Sequence, residues 1–266
     1  MTVRASTLIS VQWPPEPISP GADTLVLSVG TYYVDLRINR DDGSIYWALA
    51  GRRIVVSEEP RKVKFTHEID SHSTSESGKE EDEEGEVADE GIFTKLPNGD
   101  DLEIGEMPAP HLGGKVAAYR EVWRELNITL DNTEEDKGND ETCWMLESLD
   151  DTGKQKKRRT FYCRVGKFFL AIRRTEAQIS DQNGVEVGFS GIRQEESRSQ
   201  DDGGNEWVVK HSVGAEVGDM FHMSRAEYVL ENVTSGDSSW KVDDQVVVKS
   251  RKDGTVREVC VVRAVN

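Results

Sequence analysis

The sequence predicts an all-β protein built as two tandem antiparallel barrels. Three observations lead there: one strand unit occurs twice, strand signals recur along both halves, and no helical pattern is sustained beyond about two turns. The duplication sets Val29-Gly30-Thr31-Tyr32-Tyr33-Val34-Asp35-Leu36-Arg37 against Val165-Gly166-Lys167-Phe168-Phe169-Leu170-Ala171-Ile172-Arg173. Downstream, the segment from Ser44 to Arg52 aligns loosely with that from Gly184 to Arg193, which pairs Gly51 with Gly191. Further on, Val63-Lys64-Phe65-Thr66-His67 echoes Trp207-Val208-Val209-Lys210-His211. A repeat of this length denotes two similar domains rather than a solenoid of short units.

The strands follow in order. In the first half, Thr7–Trp13, Thr24–Val29, Tyr32–Asn39, Ile45–Ala50, Arg53–Ser57 and Lys62–Asp70 are short β-runs. Asp41-Asp42-Gly43 supplies a hairpin turn, because Gly accepts positive φ and Asp bonds its own backbone. Ile92–Leu96 and Leu102–Met107 flank the turn Pro97-Asn98-Gly99-Asp100-Asp101. Val116–Leu126 reads as the last strand of the first domain, with Tyr119, Glu121, Trp123 and Glu125 on one face. The second half closes on Val246–Lys249 and Val256–Val265, joined through Lys252-Asp253-Gly254. Short strands at spacings of about 8–12 residues favour a sandwich or barrel, and a closed barrel removes its sheet edges. The expected domains are residues 1–126 and 142–266. Between them residues 127–141 form an acidic linker, centred on Asp131–Glu141. Residues 71–90 are expected to be an acidic, disordered loop, being low in complexity and self-repelling.

Composition narrows the function classes. The 266 residues carry a net charge of −17 with 36% hydrophobic content. That field repels nucleic acid and anionic membrane, so neither is an expected partner. No run of 18 apolar residues and no leader segment is visible, so an intracellular, unanchored protein is expected. Cys143, Cys163 and Cys260 have no disulfide or metal spacing and read as buried thiols. Asn127-Ile128-Thr129 and Asn232-Val233-Thr234 are then chance glycosylation matches.

No phosphate-binding loop, Gly-x-Ser-x-Gly, His-Glu-x-x-His or Cys-x-x-Cys occurs, so no catalytic residue, metal or cofactor is assigned. The candidates that remain are weaker. His67 and His211 each follow an apolar strand and could orient a ligand, exchange protons or ligate haem; hydrogen-bonded strand histidines are the ordinary alternative. Trp47, like Trp13, Trp123, Trp144, Trp207 and Trp240, could wall an apolar pocket or simply fill a core. On the first repeated strand Tyr32, Val34, Leu36 and Ile38 share one face; Tyr33, Asp35 and Arg37 share the other. Asp35 becomes Ala171 in the second copy, so an Asp35–Arg37 pair would exist once, and the arginines read as solvent-facing or locally paired. Lys154-Gln155-Lys156-Lys157-Arg158-Arg159 reads as a solvated basic hairpin tip. Ser73 and Ser77, each with Glu three residues on, are candidate sites for an acid-directed kinase.

Several segments in order resemble the fungal Hri-type family, proteins of uncharacterised function named for interaction with a casein-kinase-1-type kinase. They are Asp23-Thr24-Leu25-Val26-Leu27, Tyr33-Val34-Asp35-Leu36-Arg37, Tyr46-Trp47-Ala48-Leu49-Ala50-Gly51, His67-Glu68-Ile69-Asp70-Ser71, Asp89-Glu90-Gly91 with Leu96-Pro97-Asn98-Gly99 and Glu103-Ile104-Gly105, Tyr119-Arg120-Glu121-Val122-Trp123-Arg124 and Arg164-Val165-Gly166-Lys167-Phe168. The resemblance implies two lipocalin-like barrels, a cytoplasmic and nuclear setting, and kinase or translocon-related protein partners. It implies no catalytic residues. The expected protein is therefore a non-enzymatic interaction or binding protein. The rivals are a carrier of a small apolar ligand or haem, and a small isomerase or hydrolase using a barrel-lining His or Asp.

Overall fold

The computed structural model describes residues 2–72, 89–129, 143–150, 156–178, 185–199, 204–234 and 239–266. The first half contains β1 (Val3–Gln12), β2 (Asp23–Val29), β3 (Tyr32–Ile38), β4 (Ile45–Glu58), β5 (Arg61–Phe65), β6 (Ile69–Asp70), β7 (Asp89–Lys95), β8 (Asp101–Ala109) and β9 (Lys115–Glu125). The second contains β10 (Cys143–Asp150), β11 (Lys156–Val165), β12 (Phe168–Gln178), β13 (Val185–Arg198), β14 (Asn205–Val213), β15 (Tyr228–Asn232), β16 (Gln245–Ser250) and β17 (Val256–Val265). Every ladder is antiparallel, and the described residues contain no α-helix, only short 3-10 turns such as Val217–Asp219.

In the N-terminal sheet the order is β3-β2-β1-β9-β8-β7-β5-β4, and β4 pairs back onto β3, so the eight strands close; β6 lies along β4. The C-terminal sheet runs β14-β13-β12-β11-β10-β17-β16-β15, with no ladder between the described residues of its end strands. It is a barrel left open on one side. Both halves turn from one core strand to the next through a matched two-residue hairpin. Gly30, between β2 and β3, has φ 62°, and Gly166, between β11 and β12, has φ 52°. A side chain at Gly166 would also collide with the Ile128 carbonyl, so this turn needs glycine twice over.

Two expected strands differ in extent. Ile45–Ala50 and Arg53–Ser57 are one long strand, β4, because Gly51 continues the pleat rather than breaking it. Lys62–Asp70 is two strands, interrupted where His67 turns the chain. The ladders also correct the duplication. Leu36 faces Ala48 across β3 and β4, whereas Ile172, its counterpart, faces Gly191. Gly191 therefore matches Ala48, and Gly51 matches Gln194, the partner of Phe169. Likewise Phe65 pairs with Arg53 and Trp207 with Glu196, so His67 and His211 do not occupy equivalent positions.

The largest apolar cluster lies between the two halves. Leu25, Leu27 and Val29 of β2, Val34, Leu36 and Ile38 of β3, and Ala48 and Ala50 of β4 pack against Met145, Phe161, Cys163, Val165, Phe168, Leu170 and Ile172. Each such side chain contributes about 1.5–3 kcal/mol by leaving water. Gly191 belongs here: a Cβ added to it would lie 2.9 Å from Leu36 Cδ1. Polar contacts frame the seam. Asp23 accepts from Arg193 Nη1 at 3.0 Å and from His211 Nε2 at 3.1 Å. Burial raises the Asp23 pKa, but Arg193 and His211 outweigh it and hold the carboxyl below its ordinary value.

Because the outer walls of β2, β3 and β4 are covered by the other domain, their opposite faces form the interior of the first barrel. Both faces of β3 are thus buried. The second interior is filled by Trp144, Leu146, Tyr162, Phe169, Met220, Phe221 and neighbours. Tyr162 and Phe169 stack with centroids 6.4 Å apart, and Phe221 meets both edge-on. Cys163 and Cys260 are buried thiols, pushed well above the usual pKa by desolvation.

Candidate functional site

The interior of the first barrel holds a partly open cavity of about 80 Å³. That is room for several waters or one small molecule. The pleat sends Tyr33, Asp35 and Arg37 of β3 inward, together with Arg53 of β4, Asp89 and Phe93 of β7, Glu103 of β8, and Tyr119, Glu121 and Trp123 of β9. Three glycines make this space. A Cβ on Gly91 would strike the Glu103 carboxylate, one on Gly105 would lie 2.7 Å from Tyr119 Oη, and one on Gly51 would strike Thr66 O.

Arg37 was expected to face solvent or pair locally. It is 6% exposed and sits at the centre of this interior. Its Nε and Nη2 donate to Asp35 Oδ2 at 3.0 and 2.9 Å, and Nη1 donates to Glu121 Oε1 at 2.6 Å. Trp47 and Trp123 flank the guanidinium, with ring centroids 5.3 and 5.4 Å away. The local pairing with Asp35 is present; the solvent-facing alternative does not hold, because both faces of this strand are buried. Burial lowers the Arg37 pKa, but Asp35 and Glu121 raise it far more, so the cation persists.

The carboxylates are less comfortable. Glu103 accepts from Tyr119 Oη at 3.0 Å and from Trp123 Nε1 at 2.8 Å. Burial, with Glu121 and Asp89 nearby, pushes its pKa up to about 8. Burial also raises Asp35 and Glu121, against the opposing pull of Arg37. Opposite them, burial and the proximity of Arg4 and Arg61 lower the Arg53 pKa to about 10. Three polar atoms of the lining are buried without a partner among the described residues: Asp35 Oδ1, Asp89 Oδ1 and Arg53 Nη2.

His67 and Trp47 meet beside this cavity. Trp47 Nε1 donates to Asp70 Oδ1 at 2.8 Å, and His67 Nδ1 lies 3.2 Å from Asp70 Oδ2. His67 Nε2 lies 3.0 Å from Asp89 Oδ2. An imidazole bonded to carboxylates through both nitrogens must donate from both, which only the imidazolium does. Burial lowers its pKa, but the bonds to Asp70 and Asp89 prevail and raise it to about 10. His211 lies elsewhere, on Asp23 at the seam.

The other sequence candidates fall outside the cavity. Ser73 and Ser77 lie outside the described residues, as do most of residues 71–90 and 127–141. Of the basic run, residues 156–159 are strand rather than hairpin tip: Lys156 and Arg158 pair with Glu216, and Arg159 with Glu147 at 2.7 Å. Sequence reasoning passed over Arg53, Asp89, Glu103 and Glu121. Glu121 shares its expected face with Tyr119 and Trp123, the one signal that could have drawn it in. Among the described residues no group of three or more His, Cys, Asp or Glu could hold a metal ion.

Fold and interior together define a tandem antiparallel β-barrel protein, whose first, closed barrel holds buried charge and whose second, open barrel has an aromatic and aliphatic interior. Residues 4–244 match the family described as Protein HRI1, and the chain belongs to that family. The same fold occurs in the crystal structure of an uncharacterized protein of Saccharomyces cerevisiae, YLR301w, with a TM-score of 0.62, 15% identity and 100% coverage of both chains. No curated protein sequence matches the chain.

Proposed function

We propose that this is a non-enzymatic binding protein whose N-terminal barrel holds a small polar molecule. The carrying observation is Asp35 Oδ1, a carboxylate oxygen on a residue only 4% exposed, which lines the cavity and has no hydrogen-bond partner among the described residues. Arg37 balances the charge through Oδ2, but a buried acceptor left without a hydrogen bond still costs about 1–3 kcal/mol unless something polar meets it. An apolar carrier finds less support here, since an apolar guest would leave the same atoms unmet. Haem ligation or general-base chemistry through His67 is weakened because Asp70 and Asp89 engage both ring nitrogens. Native mass spectrometry of the chain isolated from its own cell tests the reading. A stoichiometric small polar adduct is expected; a bare chain, or a bound lipid or haem, would overturn it.

The kinase partner, the cytoplasmic and nuclear setting and the phosphorylation of Ser73 and Ser77 rest on the resemblance and on sequence context. For the setting, the described residues add only that no helix is long and apolar enough to cross a membrane. Phosphate mapping of native protein with both serines consistently unmodified would reject the phosphorylation.

A further inference from the structure

We propose that the ligand is a small amphoteric molecule, an amine joined to an acid group, with its ammonium on Asp35 and Asp89 and its anionic group on Arg53. This rests on the reading of the cavity as a polar receptor and goes further by naming the chemistry at each end. The unpartnered atoms are of opposite kinds. Asp35 Oδ1 and Asp89 Oδ1 are acceptors on carboxylates, and Arg53 Nη2 is a donor on a guanidinium.

They belong to two poles. Asp35 and Asp89 act on each other through space, and both feel the positive charge of His67. Arg53 is instead buried and lies near two other cations, Arg4 and Arg61, as well as Glu103 and Asp101. Arg4 is already committed, donating to Asp101 Oδ2 at 2.8 Å. Waters can fill the hydrogen bonds at either pole but carry no charge to either. A simple amine would leave the Arg53 pole unmet, and a simple acid would leave the carboxylates unmet. A molecule bearing both groups meets both and adds no net charge to the barrel interior. Between the poles the wall is aromatic and aliphatic: Tyr33, Leu49, Phe65 and Phe93, with the Arg53 guanidinium 5.8 Å from the Phe93 centroid. That wall and the volume of about 80 Å³ suit a short carbon skeleton.

Calorimetric titration of the full-length chain, freed of small molecules, tests this with three matched sets of probes. These are free α- and ω-amino acids, the amines lacking the acid group, and the acids lacking the amine. At least one amino acid is expected to bind about tenfold or more tighter than both its matched partners, as one extra charge-assisted hydrogen bond provides. Arg53→Gln should reduce that compound to the affinity of its amine, and Asp35→Asn to that of its acid. Arg53 is the less buried of the two, so its variant carries the test if Asp35→Asn does not fold. An amine that binds as tightly as its amino acid overturns the amphoteric class and leaves the polar receptor standing. If no probe binds, the molecule released from native protein decides: one lacking either group overturns the inference, and no released molecule overturns both readings.

Discussion

Asp35 gives one carboxylate oxygen, Oδ2, to Arg37 two residues along the same strand and leaves the other, Oδ1, unclaimed. Arg37 in turn bridges to Glu121 on the far side of the barrel. One cation therefore serves two buried carboxylates, and the interior stays short of positive charge near Asp35. The second domain resolves the matching position differently. Ala171 stands in place of Asp35, and Arg173 pairs with Glu258 at 2.9 Å beside Tyr162. That interior packs Trp144, Leu146, Tyr162, Phe169, Met220 and Phe221 together.

Arg37→Met should destabilise the protein by about 3–5 kcal/mol, because it strands Asp35 and Glu121 without their counter-charge. Asp35→Asn should cost less, about 1 kcal/mol, since the amide oxygen still accepts from Arg37. Urea unfolding of the two variants reads the order. An Arg37→Met variant as stable as the parent would contradict the central place given to this cation.

His67 should remain an imidazolium at pH 8, visible in its ring nitrogen chemical shifts. Its folded pKa of about 10 lies above the ordinary 6.5, so its stabilisation is complete below pH 6.5 and is lost as pH rises towards 10. Replacing Asp70 with Asn should bring the titration back towards neutrality. A neutral ring at pH 8 in the unaltered protein would refute the doubly bonded geometry.

Glu103 makes a separate pH window. Its carboxyl keeps a proton up to about pH 8 in the folded state, whereas its ordinary pKa is 4.5. The folded state then binds more protons than the unfolded one between these values, so stability falls as pH rises from 4.5 to 8. Glu103→Gln, a neutral mimic of the protonated acid, should flatten that part of the stability profile. An unchanged slope would show that Glu103 is ionised when folded.

The seam between the domains should behave as a core. Leu36→Ala is expected to cost about 2–5 kcal/mol. Gly191→Val, forced against the Leu36 side chain, should cost about 1–3 kcal/mol by overpacking. Combined, they should cost less than the sum, because the shortened Leu36 makes room. Strict additivity in thermal unfolding would mean that the two residues do not touch.

Much of the fold was legible in the sequence. The aligned segments around Gly30 and Gly166 are matched strand pairs, and Val116–Leu126 showed its strand character through Tyr119 and Trp123. The site was far less legible, for a physical reason. Alternation distinguishes the two faces of β3 but not which one is a cavity, because packing between the domains buries both. Val34, Leu36 and Ile38 were legible only as one shared face, and they are the seam; Asp35 and Arg37 were legible as the other, and they line the cavity. Glu103 and Glu121 are distant in sequence from Arg37, and only closure of the barrel unites them. Gly51 and Gly191 resembled each other in sequence, yet one makes room inside a barrel and the other between barrels.

The occupant of the N-terminal barrel is tested most directly by electron density in crystals of the chain taken from its own cell without ligand removal. A compact, non-water molecule touching both Asp35 Oδ1 and Arg53 Nη2 is the predicted result. A cavity containing only ordered waters on those atoms would contradict it.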